Sequence, residues 1–144
     1  MPTLNIQGTE LQYDEKDIFT FSEGLIGLPH LQRMVIVRQS DIEPLLWLAS
    51  LDEEGTALVI TDTRGIFPGY TPSVPVDCSF HALLEKGDTP LTFAITLIVP
   101  EWQKSTVNLR APIFVSLQTM RGAQVILTDN AYSVGQPLPL SMAA

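Results

Sequence analysis

Between Thr106 and Leu127 the chain carries two runs of alternating apolar residues separated by a glycine-bearing break. In TVNLRAPIFVSLQTMRGAQVIL, Ile113, Val115 and Leu117 alternate with Phe114 and Ser116; the run pauses at Arg121-Gly122 and resumes as Gln124–Leu127. Successive side chains of a strand point to opposite faces, so this spacing predicts two half-buried strands joined as a hairpin. Pro112 has no N–H to give a ladder and belongs at a strand start or an edge rather than mid-ladder. Asn108 and Ala111-Pro112 then make a fixed corner leading into the hairpin.

The same punctuation recurs along the whole chain. Leu4 and Ile6 alternate with Thr3, Asn5 and Gln7, and Gly8-Thr9 turns the chain into Leu11–Tyr13, a short hairpin expected at an edge. Ile18–Phe21 is a third short strand. Gly24–Pro29 must be a loop; its Gly24-x-x-Gly27 spacing lacks the Lys-Ser/Thr pair of a phosphate loop and any dinucleotide fingerprint. Met34–Val37 is continuously apolar, as in a strand covered on both faces. Leu45–Leu51 and Ala57–Ile60 flank the acidic turn Asp52-Glu53-Glu54-Gly55, and Trp47 between Leu46 and Leu48 belongs to the core.

Asp62–Asp77, with Gly65, Pro68, Gly69, Pro72 and Pro75, reads as an extended surface loop. Cys78–Glu85 is the helix expected: Asp77 is placed to cap it, Phe80, Leu83 and Leu84 share a face, and Gly87 stops it. Leu91–Leu97 alternates cleanly and runs on to Pro100. About nine short strands with turn signals every 8–12 residues predict an all-β fold, a compact barrel or two packed sheets with one short helix. It forms a single domain over residues 1–135, with 136–144 expected as a flexible tail.

Charge and composition narrow the function. The 144 residues hold 16 acidic against 8 basic side chains, a net charge of −8. Such a field repels phosphate backbones, which excludes direct nucleic-acid binding and suits a basic protein partner, or simply keeps the domain soluble. No apolar run reaches the ~18 residues of a membrane span, and Met1–Asn5 has no leader pattern. The one cysteine, Cys78, precludes an internal disulfide and fits a reducing cytoplasm.

Catalysis and metal binding find little to work with. His30 follows the glycine-rich loop and His81 sits on the expected helix, with no nucleophile assigned to either. One cysteine and two histidines make no zinc site, and Asp52-Glu53-Glu54 lacks the alternating ligands of a calcium loop. The expectation is a protein without catalytic residues, metal or cofactor.

Surfaces are more promising. Val99-Pro100-Glu101-Trp102 ends a strong strand with an apolar, acidic and aromatic cluster, the composition of an interface hot spot. The alternative is that Trp102 folds back to plug the barrel. Phe67 and Tyr70 in the Pro-rich loop are likewise either partner anchors or staples. Together with Asp62, the expected partner surface is Asp62, Phe67, Tyr70, Val99, Glu101 and Trp102.

Two blocks resemble a known family. T-x-N-L-x-A-P-I from Thr106, followed by G-x-Q-x-I-L from Gly122, is similar to the C-terminal signature of the flagellar assembly factor FliW family. Phe21-Ser22-Glu23-Gly24-Leu25-Ile26-Gly27-Leu28-Pro29 resembles that family's F-x-x-G-[IL]-x-G-[FL]-P loop, with Leu28 where Phe is common. The likeness runs over roughly residues 4–137 and weakens in the Pro-rich segment 62–77.

It implies a barrel-like β domain and a non-enzymatic regulator with two competing protein partners. One is flagellin, held by its terminal region. The other is the translational repressor CsrA, bound away from its RNA groove once flagellin has been exported, which lifts repression of flagellin mRNA. Gly24, Gly27, Asn108, Ala111, Pro112 and Gly122 match the motifs and read as scaffold. Two other classes stay open: a barrel carrying a small apolar ligand, and an enzyme whose carboxylate pair assembles only in three dimensions.

Overall fold

The computed structural model describes residues 1–129 and 131–139. Its strands are β1 (Thr3–Ile6), β2 (Thr9–Gln12), β3 (Phe19–Thr20), β4 (Arg33–Val37), β5 (Leu46–Ser50), β6 (Ala57–Asp62), β7 (Leu91–Leu97), β8 (Thr106–Val107), β9 (Ile113–Ser116), β10 (Arg121–Gln124) and β11 (Gln136–Pro137). One sheet runs β7-β6-β5-β4-β3-β10-β9, and β9 pairs back onto β7, with Leu91 opposite Val115 and Phe93 opposite Ile113. That closes a barrel of seven strands. All its pairings are antiparallel except β3 with β10, which run parallel. Beyond the closure, the far half of β7 pairs with β8, and β8 with β11.

The period-two pattern sorts side chains between the inside and outside of this barrel. Phe21, Met34, Leu48, Ile60, Ile113 and Val115 fill the inside and are fully buried. The alternate residues of β4 and β5 (Val35, Val37, Trp47, Ala49) point outward, yet they too are buried, because Leu4, Ile6, Leu11 and Tyr13 of the β1–β2 hairpin lie over them. The apolar run Met34–Val37 is therefore a strand covered on both faces, as its composition predicts. The hairpin is a separate two-stranded sheet, turned at Gln7 and Gly8 with φ of 51° and 85°. Two successive positive φ values match the twist of a two-residue hairpin.

Several expectations are corrected. The C-terminal hairpin breaks at Leu117–Met120, and Arg121-Gly122 already belong to β10. The Ser116 Oγ accepts the Thr119 N–H at 3.1 Å and the Ser116 carbonyl accepts the Met120 N–H at 2.9 Å, so serine makes the turn. Gly122 serves packing instead: it lies under the Phe21 ring, where any Cβ would overlap ring carbons.

Cys78–Glu85 is not an α-helix. It is a chain of tight turns with a three-residue 3-10 segment, His81–Leu83, held by Phe80, which is buried against Phe114. Two turns are too few to nucleate a helix without help. The short α-helix, α1 (Thr63–Ile66), lies in the segment expected to be extended. At the other end, Gln136 and Pro137 pair with β8 and Leu138 is buried. The tail expected from 136 therefore starts within the fold, and its last part, 140–144, lies outside the described residues.

The two motif blocks meet at one end of the barrel. Gln124 joins them: its Oε1 accepts the Ile26 N–H at 3.0 Å while its Nε2 donates to the Ala111 carbonyl at 3.2 Å. The Asn108 Oδ1 accepts the N–H groups of Arg110 and Ala111, both at 3.1 Å, which fixes the corner before Pro112. Gly24 has φ +65°, and a Cβ there would come within 2.5 Å of the Pro29 carbonyl oxygen.

Asp52, expected as part of a solvated turn, points back toward β4. Its carboxylate accepts the N–H groups of Arg33 at 2.7 Å and Gln32 at 2.9 Å, and the Arg33 Nε at 3.1 Å. The Arg33 N–H, first among these, holds its pKa below the ordinary 3.8.

Two outcomes follow for stability. Gly122→Ala should lower the unfolding free energy by about 1–3 kcal/mol through overpacking against Phe21, read by chemical denaturation. Asp52→Asn should cost about 1 kcal/mol at neutral pH. Because a depressed carboxylate pKa stabilises only above its unfolded value, the gap between wild type and variant should close as pH falls below 3.8, followed by thermal melts.

Candidate functional site

Where β7 ends at Leu97 the chain leaves the barrel, and the loop after it is drawn tight by one serine. The Ser105 Oγ accepts the Val99 N–H at 3.1 Å, and backbone bonds from Lys104 to Glu101 (2.8 Å) and from Ser105 to Trp102 (3.0 Å) close a 3-10 turn. Ser105 is buried, and Trp102 stands on the outside of the turn with 42 % of its surface exposed. Leu97 and Ile98 beside it are exposed too. Trp102 therefore does not plug the barrel.

The opposite wall comes from the link between β4 and β5. Ser40–Ile42 form a 3-10 turn, and a cis Glu43–Pro44 bond leads into β5. Between the walls lies a cleft of ≈ 210 Å³, with Ile42, Pro44, Leu45, Val59, Ile98 and Trp102 as its sides. Leu138 and Ser105 complete it. Its charged lining residues, among those described, are the carboxylates Asp41 and Glu43. A second depression shares Glu43, Pro44 and Leu45 and continues to Arg38, Leu46 and Asp62.

The six residues of the expected surface divide. Val99, Glu101 and Trp102 come together on the tight loop, Glu101 paired with Lys104 at 3.1 Å. Asp62 is carried on the far side of Pro44, where it caps α1 through the Arg64 N–H at 3.1 Å and binds the Arg64 guanidinium at 2.7 Å. The Arg64 side chain holds the Asp62 carboxyl below its usual range.

Tyr70 faces inward. Its O–H donates to the Leu109 carbonyl at 2.5 Å, and its ring meets Tyr132 edge-on at 4.8 Å. Burial pushes the phenol pKa up. Phe67 is half-buried against the same cluster as Leu45 and Leu138. Both aromatics staple the Pro-rich loop and stand behind the surface.

Sequence reasoning did not single out Asp41, Ile42, Glu43 and Pro44, and it assigned Leu138 to the tail. The only signal was an isoleucine and a proline enclosing an acid in the turn before β5. The assembled surface has apolar walls, a rigid aromatic and an acidic rim, which makes it suited to binding rather than bond chemistry.

A family model described as FliW protein matches residues 5–138. The chain belongs to the FliW family. It is 34% identical over 140 residues to flagellar assembly factor FliW 2 of Desulfotalea psychrophila, covering 96% of this chain and 91% of that protein. The flagellar assembly factor FliW of Clostridium beijerinckii is 30% identical over 129 residues, with 90% and 92% covered. A crystal structure of the flagellar assembly factor FliW superposes with a TM-score of 0.81 at 24% identity, covering 96% of this chain and 98% of that one. That likeness supports the FliW barrel as the fold. Among the described residues no helix is long and apolar enough to cross a membrane.

Tyr70→Phe keeps the ring but strands the buried Leu109 carbonyl. It should cost about 1–2 kcal/mol of stability, measured by denaturant unfolding.

Proposed function

We propose that this FliW-family protein acts in flagellum assembly as a non-enzymatic regulator that binds proteins in the cytoplasm. One partner is flagellin. The other, taken up when flagellin is absent, is the repressor CsrA, whose removal from flagellin mRNA restores translation. Either partner lowers the pool of protein available to the other, so the level of unexported flagellin sets the level of active repressor.

The observation that carries this reading is the acidic-rimmed apolar cleft beside exposed Trp102, presented by a member of a family named for flagellar assembly. A net charge of −8 favours encounter with a basic RNA-binding protein and disfavours RNA itself. The carrier of a small apolar ligand is the weaker alternative, because Phe21, Met34, Leu48 and Ile60 occupy the barrel interior. The enzyme reading would have to rest on Asp41 and Glu43, the two carboxylates that line this cleft, and both are exposed; Asp62 and Glu101 lie outside its lining and are each tied to a neighbouring cation.

Calorimetry with flagellin and CsrA from the same cell provides the test. The wild-type chain should bind each, and preloading with flagellin should block CsrA. Trp102→Ala should weaken binding to at least one partner by about 2 kcal/mol, roughly thirtyfold. A folded wild-type chain that binds neither protein overturns the proposal.

A further inference from the structure

The cleft beside Trp102 constrains what can sit in it. Its volume of ≈ 210 Å³ is below the roughly 300–1,000 Å³ of small-molecule pockets and suits one bulky side chain. Pro44, Leu45, Val59 and Ile98 offer that side chain apolar walls; Val59 belongs to β6, Leu45 directly precedes β5 and Ile98 directly follows β7. Trp102 exposes a ring beside them.

The rim sets the sign of what flanks the anchor. Asp41 and Glu43 line the cleft. The nearby cations are Arg38, in the adjoining depression with Glu43, and Lys104, which is engaged with Glu101 at 3.1 Å. An incoming carboxylate would meet two like charges at the rim. A lysine or arginine would meet opposite charges and an exposed indole, the side chain that attracts cations most strongly among the aromatics.

We infer that this cleft recognises a cationic polypeptide segment, with one bulky apolar side chain seated between Pro44 and Trp102 and an adjacent lysine or arginine held by Asp41 and Glu43. The inference rests on the protein-binding reading above and adds the form that the bound segment takes. Proline and tryptophan both lose little freedom on binding, so the site is ready before its occupant arrives.

Three acetylated, amidated peptides test it on the full chain: Gly-Lys-Lys-Phe-Lys-Lys-Gly, its twin with glutamate for lysine, and its twin with serine. Intrinsic fluorescence reads the site, because Trp102 is exposed while Trp47 is buried and bonded to the Gln39 side chain at 2.8 Å. The lysine peptide should give a saturable change and bind about tenfold tighter than the glutamate peptide at low salt. Asp41→Asn with Glu43→Gln should weaken it about fivefold and flatten its dependence on salt between about 50 and about 300 mM. Trp102→Phe should abolish the spectral change while leaving Trp47 emission intact.

Equal binding of the three peptides, no binding of the lysine peptide, or an unchanged affinity in the folded double variant overturns the inference. The two readings separate cleanly. Peptide discrimination without binding of flagellin or CsrA sinks the proposed function and keeps the recognition chemistry; binding of both proteins without peptide discrimination does the reverse.

Discussion

The return of β9 onto β7 is the pairing on which the rest of the molecule depends. It uses only the first part of β7, Leu91 to Phe93. The second part, Thr96 and Leu97, runs past the barrel and takes β8 as its partner instead. One seven-residue strand thus both closes the cylinder and leaves it. The buried contact between the Thr61 and Thr96 hydroxyls, 2.6 Å apart, lies near the point where β7 departs. Closure removes the open edges that a strand-rich chain would otherwise expose, and the overhang carries the loop that turns Trp102 to solvent.

The two tryptophans show what burial and placement decide. Trp47 sits on the outer face of β5 yet is covered by the β1–β2 hairpin, and its indole N–H is satisfied by Gln39. Trp102 has a turn beneath it in place of a hairpin above it. The same residue type is core in one setting and surface in the other because of what the chain supplies nearby. Local composition carried part of that difference, since Trp47 stands between Leu46 and Leu48 and Trp102 between Glu101 and Gln103; the covering hairpin and the supporting turn were not legible there.

What was legible followed from periodicity. Alternation in Leu91–Leu97 and around Ile113–Ser116, and the unbroken run Met34–Val37, gave strands, faces and a barrel. Misreadings came where a residue type answers more than one need. Gly122 looks like a turn residue, but the packing of Phe21 requires it, and the turn itself is made by a serine and by Met120 at φ 54°. Phe80 looks like one face of a helix, but as a single buried anchor it holds a series of tight turns. Asp52 looks solvated, but its carboxylate serves two backbone N–H groups from residues 19 and 20 positions away. Each is a tertiary demand overriding a local preference.

The candidate surface was the least legible because it is assembled from segments far apart in the chain. Ile42 to Leu45, Val59, the loop after β7 and Leu138 share one cleft only once the barrel has closed and β11 has docked on β8. Its walls inherit the rigidity of β5 and β6, whose other faces pack into the filled interior. A site built this way needs no rearrangement to present its apolar surface, so the free energy of binding is not spent on ordering it. The hydrogen bonds that fix the motif corner at Asn108, the Tyr70 staple on Leu109 and the docking of Leu138 all bear on the same outer cluster. The motif residues therefore help to set the position of the cleft: Leu45 and Leu138 belong at once to the packed layer and to the cleft.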